Sequence, residues 1–224
     1  MSLRYIVVPV TSAEQNCSLL ICDETSRAVV VDPGGDIDKI IQVAQKNNSQ
    51  LEKILITHGH PDHCGGAYKL SEQLDIPIWG PHEAEHPIIQ QVPSAVEIFD
   101  FPYADAFEPD RWLQQGDQVH FGNQQLLVRP CPGHSPGHVI YISEQARVLW
   151  VGDILFKNSI GFYDYSYGNR ATLLKSIFEQ IWPLGDDYSF VPGHGPISTI
   201  AHERKTNPFV GDNTFAWMGL EEIE

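Results

Sequence analysis

The sequence predicts a layered α/β domain in which two mixed β-sheets pack face to face with helices on the outside. Two observations predict it. Short apolar or β-branched segments alternate with helical ones in the order strands, helix, strand, helix, and the second half repeats that order. No Pro-, Gly- or Ser-rich linker divides the halves, so one domain spans residues 1–224. With 42% apolar and 19% charged residues, a domain of this length buries roughly 70% of the surface of its unfolded chain and needs no staples.

Residues 5–10, 17–22 and 27–31 are rich in apolar and β-branched side chains and are separated by polar turns, the pattern of three strands. Asp32-Pro33-Gly34-Gly35 ends the third. Asp36 then reads as the N-cap of a helix through Lys46, with Ile37, Ile40, Ile41 and Ala44 on one face. Residues 53–56 form a short buried strand that runs into Thr57-His58. A helix over 64–74 and a strand over 77–79 follow. Residues 81–116 mix Pro, acidic and aromatic residues without a period and read as loop and short helix. Strands return at 118–121, 124–129, 139–142 and 148–151. A helix over 171–181, a strand over 189–191 and a closing helix over 198–205, capped by Ser198, complete the chain.

Acidic residues number 29 and basic ones 14, for a net charge of −15. That argues against nucleic acid or an anionic membrane as partner, because phosphate contacts need Lys and Arg. No apolar run is long enough to span a bilayer. The N-terminal stretch lacks a small-residue cleavage site and reads as a strand rather than a signal peptide. Cys17, Cys22, Cys64 and Cys131 form no CxxC pair; free thiols of this kind place the protein in the cytoplasm. The oligomeric state is left open.

The chemistry concentrates in Thr57-His58-Gly59-His60-Pro61-Asp62-His63-Cys64-Gly65-Gly66, which puts four potential metal ligands within six residues. Gly59 and Pro61 break regular structure, so this is a loop at a strand end where His58 and His60 can converge on one ion. Asp62 and His63 point differently and suit a second ion a few ångströms away. His134, Asp153 and His194 each follow a strand and are flanked by Gly or Pro, which let the backbone turn sharply. Together they supply five imidazoles and two carboxylates. Asp32 either orients a ligand histidine or starts the helix-initiating turn. His138 reads as a surface histidine at a strand start, with support of the site as the alternative, and Cys64 and Cys131 read as packing residues. The run Phe162-Tyr163-Asp164-Tyr165-Ser166-Tyr167 either lines a substrate mouth or packs between sheet and helix.

His-x-His-x-Asp-His followed by a lone His, Asp and His resembles the metallo-β-lactamase superfamily over nearly the whole chain. The flanking stretches resemble its glyoxalase II branch, the hydroxyacylglutathione hydrolases, in the short bacterial form. They are Val31-Asp32-Pro33-Gly34-Gly35-Asp36, Pro132-Gly133-His134-Ser135-Pro136-Gly137-His138, Gly152-Asp153-Ile154-Leu155-Phe156 and Glu203-Arg204-Lys205-Thr206-Asn207-Pro208-Phe209. The resemblance implies a four-layer αββα sandwich. It implies one metal held by His58, His60 and His134, a second by Asp62, His63 and His194, and Asp153 as bridge. Asp62 and Asp153 are then the catalytic carboxylates. Two divalent ions are implied, zinc first, with iron or manganese as alternatives. Such a pair lowers the pKa of a shared water toward neutrality, and the resulting metal-bound hydroxide attacks a carbonyl carbon. The implied substrate is a small S-acylglutathione thioester such as lactoylglutathione.

Two departures bear on recognition. The helical C-terminal domain of the long-form enzymes has no counterpart in the 30 residues after His194. Where the family places Lys or Arg after a glycine, this chain has Gly161-Phe162, so Phe162 and Tyr163 border the substrate and Arg170, Arg204 and Lys205 are the candidate replacement cations. Three other readings stand beside thioester hydrolysis. They are a persulfide dioxygenase-like enzyme with one iron on His58, His134 and Asp153; a hydrolase of lactones, phosphodiesters or β-lactams; and a non-catalytic binding protein.

Overall fold

The computed structural model describes residues 2–98 and 104–214. The first sheet contains β1 (Leu3–Val10), β2 (Gln15–Cys22), β3 (Arg27–Val31), β4 (Gln50–Leu55) and β5 (Ile78–Trp79), in that spatial order. β1, β2 and β3 are antiparallel neighbours, whereas β3, β4 and β5 run parallel. The parallel pairs are joined by crossover helices, α1 (Ile37–Lys46) and then α2 (Pro61–Cys64) with α3 (Ala67–Leu74). Short helices α4 (His86–Ile89) and α5 (Val92–Ile98) follow. The second sheet contains β6 (Gln118–Phe121), β7 (Gln124–Pro130), β8 (Val139–Ser143) and β9 (Val148–Gly152). A small separate hairpin follows, β10 (Leu155–Phe156) with β11 (Ser159–Ile160). After α6 (Arg170–Ser176) and a π-helical turn over Ile177–Ile181, β12 (Ser189–Pro192) and β13 (Ser198–Thr199) join the second sheet, and α7 (Ile200–Thr206) closes the chain. The spatial order of the second sheet is β13-β12-β9-β8-β7-β6, with only β12 and β9 parallel.

Strand alternation builds four layers. In β2 and β3, Leu19, Ile21, Ala28 and Val30 face outward to α1 and α3, while Leu20, Cys22, Val29 and Val31 face the other sheet. In β8 and β9, Val139, Tyr141, Val148 and Trp150 meet that inner layer, while Ile140, Ile142, Leu149 and Val151 face α6 and α7. Strands buried on both faces read as unbroken apolar runs, which is why VIYIS and VLWVG are legible as strands. Among the described residues, no helix is long and apolar enough to cross a membrane.

Several boundaries differ from expectation. The helix expected over 64–74 is two helices, split at Gly65-Gly66. A Cβ on Gly66 would sit 2.5 Å from the Pro33 carbonyl oxygen, and one on Gly34 only 1.5 Å from that of Asp62. The paired glycines therefore let the β3–α1 loop press against α2. Asp36 does not cap α1: it sits at φ 49°, and its carboxylate instead accepts the Thr11 N–H at 2.9 Å. Thr199, not Ser198, caps α7 through the His202 N–H at 3.1 Å. Ser198 lies in β13 and bonds the buried Glu203. Glu203 also accepts from Asn158 N–H and the Asn207 side chain, tying α7 to the β10–β11 turn. Of the aperiodic stretch 81–116, residues 99–103 lie outside the described residues.

Candidate metal centre

The C-terminal ends of β3, β4, β7, β9 and β12, and the start of antiparallel β8, open on one rim. The two sheets are tied there by backbone bonds from Val139 N–H to Thr57 C=O at 2.9 Å and from Asn16 N–H to Gly193 C=O at 2.7 Å. On this rim the structure brings together His58, His60, Asp62, His63, His134, Asp153 and His194.

His58 Nε2, His60 Nδ1 and His134 Nε2 form one triad, with separations of 3.0, 3.0 and 3.3 Å. A tetrahedral ion about 2.05 Å from each nitrogen would space its ligands roughly 3.3 Å apart. Asp62, His63 and His194 form a second triad: Asp62 Oδ2 is 2.9 Å from His194 Nε2 and 3.6 Å from His63 Nε2. Asp153 spans both, with Oδ1 3.2 Å from His63 Nε2 and Oδ2 3.8 Å from His134 Nε2. His63 Nε2 and Asp153 Oδ1 are buried without a hydrogen-bond partner. Buried atoms of this kind need a partner, and a cation between them supplies it. The residues present fit a pair of metal ions.

Each imidazole is oriented by a bond on its other nitrogen, and the network assigns the tautomers. His63 Nδ1–H donates to Asp32 Oδ2 at 2.9 Å. His58 Nδ1–H donates to Thr57 Oγ1 at 3.0 Å, and that hydroxyl donates to Asp32 Oδ2 at 2.7 Å. Asp32 Oδ1 also accepts the Thr57 N–H at 2.7 Å. Of the two roles considered for Asp32, the structure shows the first: it orients His63 directly and His58 through Thr57. His134 Nδ1–H donates to the Phe162 carbonyl at 2.6 Å, His60 Nε2–H to the Tyr167 hydroxyl at 2.8 Å, and His194 Nδ1–H to the Ala13 carbonyl at 3.2 Å.

Burial and the neighbouring imidazoles hold His58 below its ordinary range, and burial does the same to His134 and His138. His60 falls to about 3 for the same reason. Neutral imidazoles are the form that binds metal. Burial also pulls on His63, but the charges of Asp153 and Asp62 outweigh it and raise this residue. His194 is raised too, its bond to Asp62 and the charge of Asp153 overcoming burial. Burial works to raise Asp62 and Asp153, yet His63 outweighs it and holds both below the usual carboxylate range.

His138 is a correction: it is a fully buried residue, not a surface one. Its ring stacks on His58 at 4.6 Å, and its Nε2 accepts the Asp153 N–H at 3.2 Å. The apolar run of β8 carried the missed signal, because a strand buried on both faces also buries the residue that enters it. Glu85 was missed. Its buried carboxylate accepts Gly59 N–H at 2.8 Å and Gly137 N–H at 2.6 Å, joining the His58–His60 loop to the loop before His138. Nothing in its own aperiodic neighbourhood marks it. Gly193 is the close approach that the sequence read only as a turn: a Cβ there would lie 2.1 Å from Asp153 Oδ1.

The candidate substrate residues divide. Phe162 stands exposed beside the site, whereas Tyr163 packs against the core under α6. Arg204 pairs with Asp186 and Asp212, both at 3.1 Å, and Lys205 is exposed on the same helix. Among the described residues, neither cation meets the cluster in a hydrogen bond or ion pair. Cys64 and Cys131 are buried in the core, as expected.

The family model of the metallo-beta-lactamase superfamily matches residues 12–194, a span that contains every member of the cluster. The chain belongs to the metallo-beta-lactamase superfamily. It is a metal-dependent hydrolase of that superfamily. It is 37% identical over 209 residues to hydroxyacylglutathione hydrolase GloC of Haemophilus influenzae, a match covering 93% of this chain and 98% of that protein. Among solved structures it is similar to the BLEG-1 B3 metallo-beta-lactamase, with a TM-score of 0.85 and 32% identity over 92% of this chain and 99% of the other. It is also similar to TTHA1623 in a di-iron-bound form, with a TM-score of 0.83 and 31% identity over 91% and 99%. The four-layer superfamily fold expected from the sequence is thus the one observed.

Proposed function

We propose that this chain hydrolyses small S-acyl thioesters of the hydroxyacylglutathione type, using two divalent metal ions held by the seven-residue cluster. The observation that carries this reading is Asp153, whose two carboxylate oxygens face His63 and His134 and so join the two triads. The near full-length 37% identity to GloC supports the thioester class. Zinc is the first ion to test; iron follows, given the di-iron form of TTHA1623, and manganese suits the same donors. The four free, buried cysteines favour the cytoplasm.

Bound metals would supply a water of near-neutral pKa and polarise the thioester carbonyl. His58, His60 and His134 present neutral lone pairs to the first site, each fixed by its outer bond. The carboxylates of Asp62 and Asp153, both held ionised beside His63, would complete the second site and join it to the first, and would accept a hydrogen bond from a water placed between them. Tyr167, its phenol pushed up to about 12 by burial and the neighbouring Tyr165, stays protonated and keeps its contact with His60. The thiol of a thioester has a pKa near ~8.5 and leaves as thiolate without a proton donor.

The test is elemental analysis of the purified protein with a thioester panel that includes lactoylglutathione. About two metal ions per chain and metal-dependent thioester turnover are expected. A metal-loaded protein that hydrolyses no thioester overturns the reading. Oxygen consumption with a persulfide, on one iron per chain, would replace it by a dioxygenase built on His58, His134 and Asp153.

A further inference from the structure

The loop over the first triad carries four aromatic residues, Phe162, Tyr163, Tyr165 and Tyr167. Tyr163 alone packs into the core. Phe162 is 54% exposed and Tyr167 38%. The half-buried Tyr165 ring stands between them, edge-on to Phe162 at 4.9 Å and stacked on Tyr167 at 5.3 Å with the planes 20° apart. The same ring lies 5.0 Å from His60 and 5.7 Å from His134, and the Tyr167 hydroxyl accepts from His60. The three rings thus form a ladder that begins on the first triad and leads out to solvent.

A contiguous exposed apolar patch beside a polar site marks a place where something docks. Ring faces bury apolar or aromatic groups well, and Phe162, the most exposed of the three rings, carries no donor for a carboxylate. The loop contributes an anion of its own, Asp164, to a chain of net charge −15. Arg204, a candidate cation for the mouth, is committed to Asp186 and Asp212.

We propose that the Phe162–Tyr165–Tyr167 ladder is an outer substrate subsite that takes an uncharged apolar or aromatic acyl group of the thioester. This deepens the thioester reading and rests on it. An acyl chain extending from the reacting carbonyl over His60 and His134 would lie on Tyr165 first and reach Phe162 at its far end.

The decisive experiment compares metal-loaded enzyme on S-acetyl- and S-phenylacetyl-N-acetylcysteamine, which share an uncharged thiol and differ only in the acyl group. The phenylacetyl compound should show a Michaelis constant lower by about tenfold than the acetyl compound, and lower than lactoylglutathione. In Phe162→Ala the phenylacetyl-to-acetyl ratio of kcat/KM should collapse to within about twofold, and Phe162→Leu, which keeps an apolar side chain, should fall between. Phe162 is exposed, so neither change empties the core. A second arm measures calorimetric binding of the non-hydrolysable thioether S-(2-phenylethyl)-N-acetylcysteamine, expected to weaken about tenfold in Phe162→Ala. Equal Michaelis constants for all three thioesters, or the lowest value for lactoylglutathione, overturn the ladder and leave thioester hydrolysis standing. Thioether binding that depends on Phe162 without turnover of any thioester overturns the hydrolysis and leaves the subsite. An equal gain from a trimethylammonio-acetyl group would reassign the rings to a cation and overturn the apolar assignment.

Discussion

Replacing Asp32 with Asn changes one buried atom and should reverse a chain of protons. In the native protein the Asp32 carboxylate accepts from Thr57 N–H, Thr57 Oγ1–H and His63 Nδ1–H at 2.7, 2.7 and 2.9 Å. Asparagine has one acceptor oxygen. If it keeps the Thr57 N–H, its amide NH₂ takes the place of Oδ2 and becomes a donor to Thr57 Oγ1 and His63 Nδ1. Gln15 Nε2, 3.4 Å from the same His63 nitrogen, is a second donor in reach. His63 then carries its proton on Nε2, the atom that faces the cluster. Thr57 Oγ1, now accepting from Asn, turns its own hydrogen toward His58 Nδ1, which moves the His58 proton to its inner nitrogen too. An imidazole protonated on its inner nitrogen cannot ligate.

Changing an outer partner of a ligand histidine typically costs 10–100-fold in metal affinity, and two wrong tautomers place Asp32→Asn at or beyond the upper end. Asp32→Ala provides the sign test. It leaves three buried groups without their acceptor, at about 1–3 kcal/mol each before water re-enters, so it should be the less stable variant. It removes the Asn donor and leaves only the longer Gln15 contact at His63 Nδ1, at 3.4 Å, so it should bind metal better than Asp32→Asn. The assay is competition with a chromophoric chelator for affinity, with thermal unfolding in EDTA for stability. Affinity in Asp32→Asn equal to or better than in Asp32→Ala would refute the tautomer argument.

Four further outcomes follow from the same geometry. Asp153→Ala should remove metal and turnover together, since that carboxylate faces both triads; full metal content by elemental analysis would contradict this. Glu85→Ala leaves the Gly59 and Gly137 N–H groups buried and unpaired, an expected loss of about 2–4 kcal/mol, or roughly 5–15 °C in Tm by calorimetry, with Glu85→Gln recovering part of it. Phe162→Arg should lower the Michaelis constant for lactoylglutathione by about tenfold to a hundredfold, the worth of one charge-assisted bond, and raise that for the phenylacetyl thioester; a parallel shift for both would contradict the ladder. The metal-free protein should lose stability as the pH falls below about 6.5. His58, His60, His134 and His138 are depressed in the folded state, so the unfolded chain binds more protons there, and the raised His63 and His194 offset this only in part. A flat acid limb in chemical denaturation from pH 7 to 5 would contradict it.

The sequence made the seven clustered side chains legible because all but His63 sit beside Gly or Pro just after an apolar run, and His63 lies within six residues of three of them. It left the support around them largely unread, for physical reasons. His138 and Glu85 act across the rim on residues distant in sequence, and no local period reports a tertiary partner. The β10–β11 hairpin has two-residue strands, too short for any alternation to register. The split between α2 and α3 follows from the Pro33 and Asp62 carbonyls approaching from another loop; Gly65-Gly66 is visible in the sequence, but the reason for it is not. Asp36 looked like a cap because its own neighbourhood favours one, whereas its carboxylate is used by Thr11 on a different turn.

The outer bonds of the five clustered histidines come from five separate places: Asp32, Thr57, the Phe162 carbonyl, Tyr167 and the Ala13 carbonyl. No segment of the chain carries both a triad and its complete support. In the unfolded chain those tautomers are unconstrained, and the inner nitrogens of the first triad, 3.0–3.3 Å apart in the fold, have no reason to meet. Bringing three neutral lone pairs that close, in a buried site, is unfavourable until a cation stands between them. The surrounding fold must therefore hold the triad together before metal arrives, and metal binding returns the energy as added stability of the whole domain. It follows that a change at Ala13 or Phe162 that only shifts a carbonyl should register in metal affinity, although neither side chain touches an ion.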